Sequence, residues 1–136
     1  MHAGWYSAAV DNCPFCTISP DRISLENEQA IAFHDGYPVA QRHTLVIPRL
    51  HVASVFDLRP QAQAAVWDLV AQARAQLADT LRPDAFTIGV NDGVAAGQTV
   101  PHAHIHVIPR WSGDVSDPRG GVRWVIAGKA DYWSKP

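Results

Sequence analysis

Three histidines stand at alternate positions in His102-Ala-His-Ile-His106. In an extended strand, residues two apart project from the same face, so His102, His104 and His106 present three imidazoles to one surface while Ala103, Ile105 and Val107 enter the core. Imidazole titrates near pH ~6.5, so such a cluster offers an anion both hydrogen-bond donors and an unprotonated ring nitrogen. A phosphate ester needs that combination. Strand histidines two apart can also bind Zn²⁺ and activate water, and alternation alone leaves both chemistries open. The second feature is Cys13-Pro-Phe-Cys16, whose spacing lets two thiolates reach one tetrahedral ion. A redox pair is the rival reading, but such a pair usually opens a helix after a strand, and this one precedes every strand predicted below. A disulfide across so short a loop would stabilise little.

The elements that must hold these groups follow from periodicity. Residues 29–33 and 43–47 read as strands joined by the turn-rich His34-Asp-Gly-Tyr-Pro38. From residue 60 to about residue 80 the pattern turns helical, with Val66, Leu69, Val70, Ala73 and Leu77 at steps of three and four. Pro60 suits a first turn, where no backbone donor is needed. Strands are predicted again at 85–90 and 102–108, separated by the Gly-rich loop 91–99, and a short strand at 122–126 in the tail that spans 111–136. This pattern predicts an α+β fold with an antiparallel sheet of about five strands packed against one long helix plus short helices.

With 136 residues and no repeat or linker, the chain is expected to form one domain, 1–136. Lys and Arg number 11 against 13 Asp and Glu, so no basic field exists to grip a nucleic acid. No apolar run approaches the ~20 residues that cross a bilayer, and the first residues lack the pattern of a signal peptide, so no membrane partner and a cytoplasmic location are expected. Of the remaining histidines, His2 is expected to be a mobile terminal residue and His34 to face solvent.

The stretch Gly97-Gln-Thr-Val-Pro-His-Ala-His-Ile-His-Val-Ile-Pro-Arg110 closely resembles the signature of the histidine triad (HIT) superfamily, in which His-x-His-x-His is followed by two apolar residues. Ala32-Phe-His-Asp35 and His43-Thr-Leu-Val-Ile-Pro48 are similar to that family's first strands. The likeness spans roughly residues 12–110, omits the tail, and points to bacterial HIT and diadenosine polyphosphate hydrolase-like proteins. It implies a HIT-like fold in which His104 attacks the α-phosphorus of a nucleotide, with its other ring nitrogen donating to a backbone carbonyl. It places His106 on the nonbridging phosphate oxygens, Gln98 on phosphate and water, Thr99 on the leaving-group oxygen, and His43 behind the triad. Asp35 would accept the ribose hydroxyls, Asn91 would contact ribose or phosphate, and Gly97 would bring backbone close to phosphate. Phe15, Ile18 and Phe33 would line the base pocket. Taken alone, these residues also suit turns and ordinary core.

The resemblance further implies a structural zinc site from Cys13, Cys16, His51 and His102, with no metal needed for the chemistry. The implied function is cleavage at the α-phosphate of dinucleoside polyphosphates or related nucleotides through a nucleotidyl-histidine. Phosphoramidate hydrolysis of the Hint-like branch, nucleotidyl transfer and non-catalytic nucleotide binding are its alternatives. Adenine is the preferred base, and a homodimer is implied.

Overall fold

The computed structural model describes residues 10 and 12–134, so His2 lies outside the described residues. Five strands appear: β1 (Ile23–Glu26), β2 (Ala30–His34), β3 (Thr44–Pro48), β4 (Ala85–Val90) and β5 (Ile105–Arg110), with a long helix α1 (Pro60–Leu81) and a short one, α2 (Ala127–Ala130). Every neighbouring pair is antiparallel and the spatial order is β1-β2-β3-β5-β4. This is the predicted α+β architecture. No helix among the described residues is long and apolar enough to cross a membrane.

Period-2 alternation divides the sheet's side chains between two faces. Ala30, Ala32, Val46, Ile105 and Val107 meet Val66, Leu69, Val70, Ala73 and Leu77 of α1 in one buried cluster. The opposite face carries Ile31, Phe33, Leu45 and Ile47, packed with Phe15, Ile18 and Ile23. Pro60 occupies the first turn of α1, where its missing N–H costs no hydrogen bond. The helix ends at Arg82, whose left-handed φ of 51° lets its N–H reach the Ala78 carbonyl at 3.2 Å before Pro83 stops any continuation.

Three expectations need correcting. Strand β1 was not predicted; it is four residues long and its register with β2 shifts between Ile23 and Leu25, so it shows no clean alternation. The final strand begins at Ile105 rather than His102, because the Ala103 N–H is taken by the Val52 carbonyl at 2.7 Å and not by β3. It runs through Pro109 to Arg110 because β3 pairs only as far as Val107, so Pro109 has β4 alone as partner. Residues 122–126 form a 3₁₀ segment, Gly121–Ile126, not a strand. Their apolar character was real, but the segment joins no strand ladder; it packs on α2 and touches β4 instead.

Leu69 is fully buried at the centre of the α1 contact. Leu69→Ala is expected to lower the unfolding free energy by about 2–5 kcal/mol, as measured by urea denaturation.

Candidate active site

Side-chain rings form a row along one side of the segment that enters β5. The His51 and His102 centroids are 5.1 Å apart, Phe15 lies 6.0 Å from His102 and 5.1 Å from His104, and His106 follows His104 at 5.2 Å and precedes His43 at 5.1 Å. His102, His104 and His43 are buried. Although His102 and His104 precede the strand proper, their rings stay in the same row as that of His106.

Each ring has at least one nitrogen committed, which fixes what the other can do. His102 Nε2–H donates to the Pro48 carbonyl at 2.8 Å, leaving Nδ1 bare. His104 Nδ1–H donates to the His102 carbonyl at 2.8 Å, leaving Nε2 with a free lone pair. The Val39 N–H donates to His43 Nδ1 at 3.1 Å, so the proton of neutral His43 is on Nε2, which donates to His106 Nδ1 at 2.9 Å. His106 therefore carries its own proton on Nε2. Asp35 Oδ2 lies 3.5 Å from His43 Nε2, and its Oδ1 accepts the Tyr37 N–H at 2.9 Å.

A cleft of about 400 Å³ opens in front of His104 and His106. Phe15, Ile18 and Phe33 line its apolar part, the two phenyl rings meeting edge to face at 5.5 Å. Asp35, Asn91, Gly97 and Thr99 line the rest. Gly97 has a φ of +100°, and a Cβ there would meet nothing within 4 Å, so it is backbone conformation that requires glycine. Gln98 does not line this cleft. Its amide is used within the loop, accepting from Gly93 N–H at 2.9 Å and donating to the carbonyls of Ala53 and Val100 at 2.9 and 3.0 Å. Arg22, which the sequence did not single out, stands at the rim with its guanidinium 5.3 Å from the Phe33 ring centre. Nothing in its spacing marked it, since β1 itself was not predicted. His34 is exposed, as expected.

At the other end of the row, ligand atoms of Cys13, Cys16, His51 and His102 all lie within 4.8 Å of one another. His102 Nδ1 is 3.6 Å from each sulfur, and His51 Nδ1 is 3.2 Å from Cys16 Sγ. A tetrahedral ion with Zn–S near ~2.3 Å and Zn–N near ~2.1 Å separates S from N by ~3.6 Å, so the four side chains fit zinc. The His102–Pro48 bond is the outer contact that aims Nδ1 at such an ion. Burial, reinforced by the Cys13 thiol, holds the Cys16 thiol above its ordinary value against the Val10 N–H. His102, His104 and His106 do not converge on a common point among the described residues; the clusters that do are the Cys2His2 set and Asp35, His43 and His106.

The HIT domain family model matches residues 17–113. The chain belongs to the HIT family. Among its relatives, an Arabidopsis thaliana protein named adenylylsulfatase HINT3 is 33% identical over 76% of this chain and 55% of its own length. A Schizosaccharomyces pombe bis(5'-nucleosyl)-tetraphosphatase (asymmetrical) is 38% identical over 63% of this chain and 47% of its own. The crystal structure of a HIT family member from Bacillus subtilis superposes with a TM-score of 0.71, covering 76% of this chain and 77% of that one at 32% identity.

In this HIT chain, burial is the main reason that His106 titrates at about 4, with His104 and His43 adding to the shift and Asp35 opposing it. Burial lowers His43 as well. A histidine whose native value lies below its unfolded value of ~6.5 takes up protons more readily when unfolded, so its contribution is intact above that pH and is lost as pH falls towards the native value. Between pH ~6.5 and ~4, His106 is expected to remove about 2–3 kcal/mol of stability. The melting temperature is expected to fall by on the order of 10 °C over that range. Calorimetry of His106→Asn should show a shallower dependence.

Proposed function

We propose that this protein is a nucleotide hydrolase that cuts at the α-phosphate through a nucleotidyl intermediate on His104. The observation that carries this reading is the bare Nε2 of His104, fixed by the bond from Nδ1–H to the His102 carbonyl and set beside His106 in a cleft of nucleotide size. Nε2 attacks phosphorus, the N–P bond forms as the bridge to the leaving group breaks, and the leaving group departs with the bridging pair and takes a proton from solvent, which the attacking water gives back in the second step. Water then attacks the same phosphorus, the N–P bond breaks, and the nucleoside monophosphate leaves with His104 restored. His106, carrying its proton on Nε2, serves as a hydrogen-bond donor to nonbridging oxygens.

Phe15, Ile18 and Phe33 suit a base, with adenine the preferred one, and Asp35 suits the two ribose hydroxyls through its free lone pairs. Asn91 would contact ribose or phosphate, and Thr99 the leaving-group oxygen. Gln98 would act by bracing the loop rather than by touching substrate. The two named relatives, an adenylylsulfatase and a bis(5'-nucleosyl)-tetraphosphatase, support a common nucleotidyl half with different departing halves. Dinucleoside polyphosphates and nucleoside phosphoramidates are accordingly the two substrate classes to compare. β1 and β4 are the two edges of the sheet, and β4, the longer, favours a homodimer joined there.

Rapid quenching of the protein with radiolabelled adenylated substrates, followed by peptide mass spectrometry, should map an adenylyl group to His104. His104→Ala should form none and lose turnover by ~10³-fold or more. Turnover retained in that variant would defeat the reading.

Zinc held by Cys13, Cys16, His51 and His102 would tie the N-terminal turn to the segment entering β5, supplying stability and no reaction step. Cys13→Ser, or a strong chelator, should lower the melting temperature while leaving the rate of adenylyl transfer in a single turnover within about threefold. Melting unaffected by both would remove zinc from the account.

A further inference from the structure

Arg22 is the one Lys or Arg among the described residues that line the cleft in front of His104. Its place is the apolar end. The ring centres of His104 and Phe15 are 5.1 Å apart, those of Phe15 and Phe33 5.5 Å, and the Arg22 guanidinium lies over the Phe33 ring at 5.3 Å. Its ring neighbour is therefore a wall of the base slot and not a member of the histidine row.

Local structure puts it there. Pro20–Arg22 form a 3₁₀ turn, and the Arg22 N–H donates to the Ser19 carbonyl at 2.9 Å. β1 then opens with Ile23 opposite Phe33, and its register slips before Leu25, which faces Ala32. Such an irregularity re-aims the side chains around it. Ser24, at the slip, donates from Oγ to the Ala32 carbonyl at 3.2 Å. Arg22 donates from Nη2 to the His34 carbonyl at 3.4 Å, one residue short of Asp35. The guanidinium thus stands where the wall that suits a base gives way to the carboxylate that suits a ribose.

No carboxylate among the described residues pairs with Arg22. Asp21 takes the Ser19 hydroxyl, and Asp35 faces His43 and the Tyr37 N–H. Arg110 is the contrast: it lines a larger cleft of about 740 Å³ under the tail, but Asp114 already grips it at 2.7 and 2.8 Å. A guanidinium carries five N–H donors in a planar fork and no acceptor. The His34 carbonyl uses one of them, at a long distance. The others border a slot walled by Phe15, Ile18 and Phe33, where a hydrogen bond from a charged donor gains strength because little water competes. An adenine in that slot offers acceptors only at its ring nitrogens, because its amino group donates. A group that can only donate has N1, N3 or N7 to meet.

We propose that Arg22 is a specificity-determining residue that donates a hydrogen bond from its guanidinium to a ring nitrogen of the purine. The inference rests on the reading of this cleft as a nucleotide site and deepens it, assigning recognition of the base to a side chain outside the histidine row. Calorimetric titration with AMP and with its 1-deaza, 3-deaza and 7-deaza analogues provides the test, because each analogue replaces one ring nitrogen by C–H and leaves size and phosphate alone. One analogue should bind ~10-fold or more weaker than AMP. Arg22→Ala should weaken AMP by the same factor and bind that analogue as tightly as AMP, while the other two keep their ratios to AMP. Arg22 is exposed, so the melting temperature of the variant should stay within ~2 °C of the unaltered protein.

Three analogues that bind as AMP does in the unaltered protein, or a discrimination that persists in Arg22→Ala, would overturn the assignment. Equal weakening of all four nucleotides by Arg22→Ala would put the side chain on the phosphate or in the support of β1, and overturns it as well. AMP that fails to bind would bring down the nucleotide reading of the cleft and this inference together. A protein that discriminates the analogues through Arg22 but shows neither turnover nor a His104 adduct would bring down the hydrolase reading and leave this one standing.

Discussion

The site depends on a constraint smaller than any motif: in each ring of the histidine row, the protein chooses which nitrogen bears the proton. Backbone carbonyls of Pro48 and His102 choose for His102 and His104, and the Val39 amide chooses for His43. His43 then chooses for His106. From four ordinary imidazoles this yields a lone pair aimed at two sulfurs, a lone pair aimed into a cleft, and a donor beside it. Because the choosers are mostly backbone groups, the sheet and its entering loops must be in place before the chemistry exists. A neutral imidazole in water divides its proton between both nitrogens, and only a directional partner removes that ambiguity.

The two faces of the sheet divide the work accordingly. The face against α1 is closed, apolar and uneventful, and it supplies the burial that holds β3 and β5 in register. The other face is only partly covered, by Phe15, Ile18 and Ile23, and the gap beyond them is the cleft. Phe15 serves both purposes, touching His102 on one side and His104 on the other while sitting in the turn between Cys13 and Cys16. An ion in the cysteine cluster would thereby also steady the wall of the nucleotide cleft, without contributing to the reaction itself.

Much of this was legible in the sequence because the strongest signals are periodic. The helix at 60–80 and strands β2, β3 and β4 follow from apolar spacing, and the alternate histidines stay on one side even though their strand starts three residues late. What periodicity could not convey was pairing. β1 is too short and too irregular to alternate, and residues 122–126 have strand composition but no ladder partner. The bonds of Gln98 were invisible for a related reason: an amide in a loop reads as available until its partners, here the carbonyls of Ala53 and Val100, are located in space. Arg22 and the tail cleft escaped notice because each is defined by contact with elements distant in the chain.

The depressed titration of His106 decides what kind of help an anion would receive here. A ring held at about 4 is uncharged at neutral pH, so it meets an anion as an N–H dipole and not as a cation. Such a donor costs less to bury than a charge, and it is already oriented by His43 before substrate arrives, so no reorganisation is needed when negative charge builds on phosphorus oxygens. It also cannot supply the long-range attraction that a protonated row would exert on any polyanion nearby. Discrimination then falls to shape and hydrogen bonding within the clefts, which agrees with a chain whose net charge is only −2.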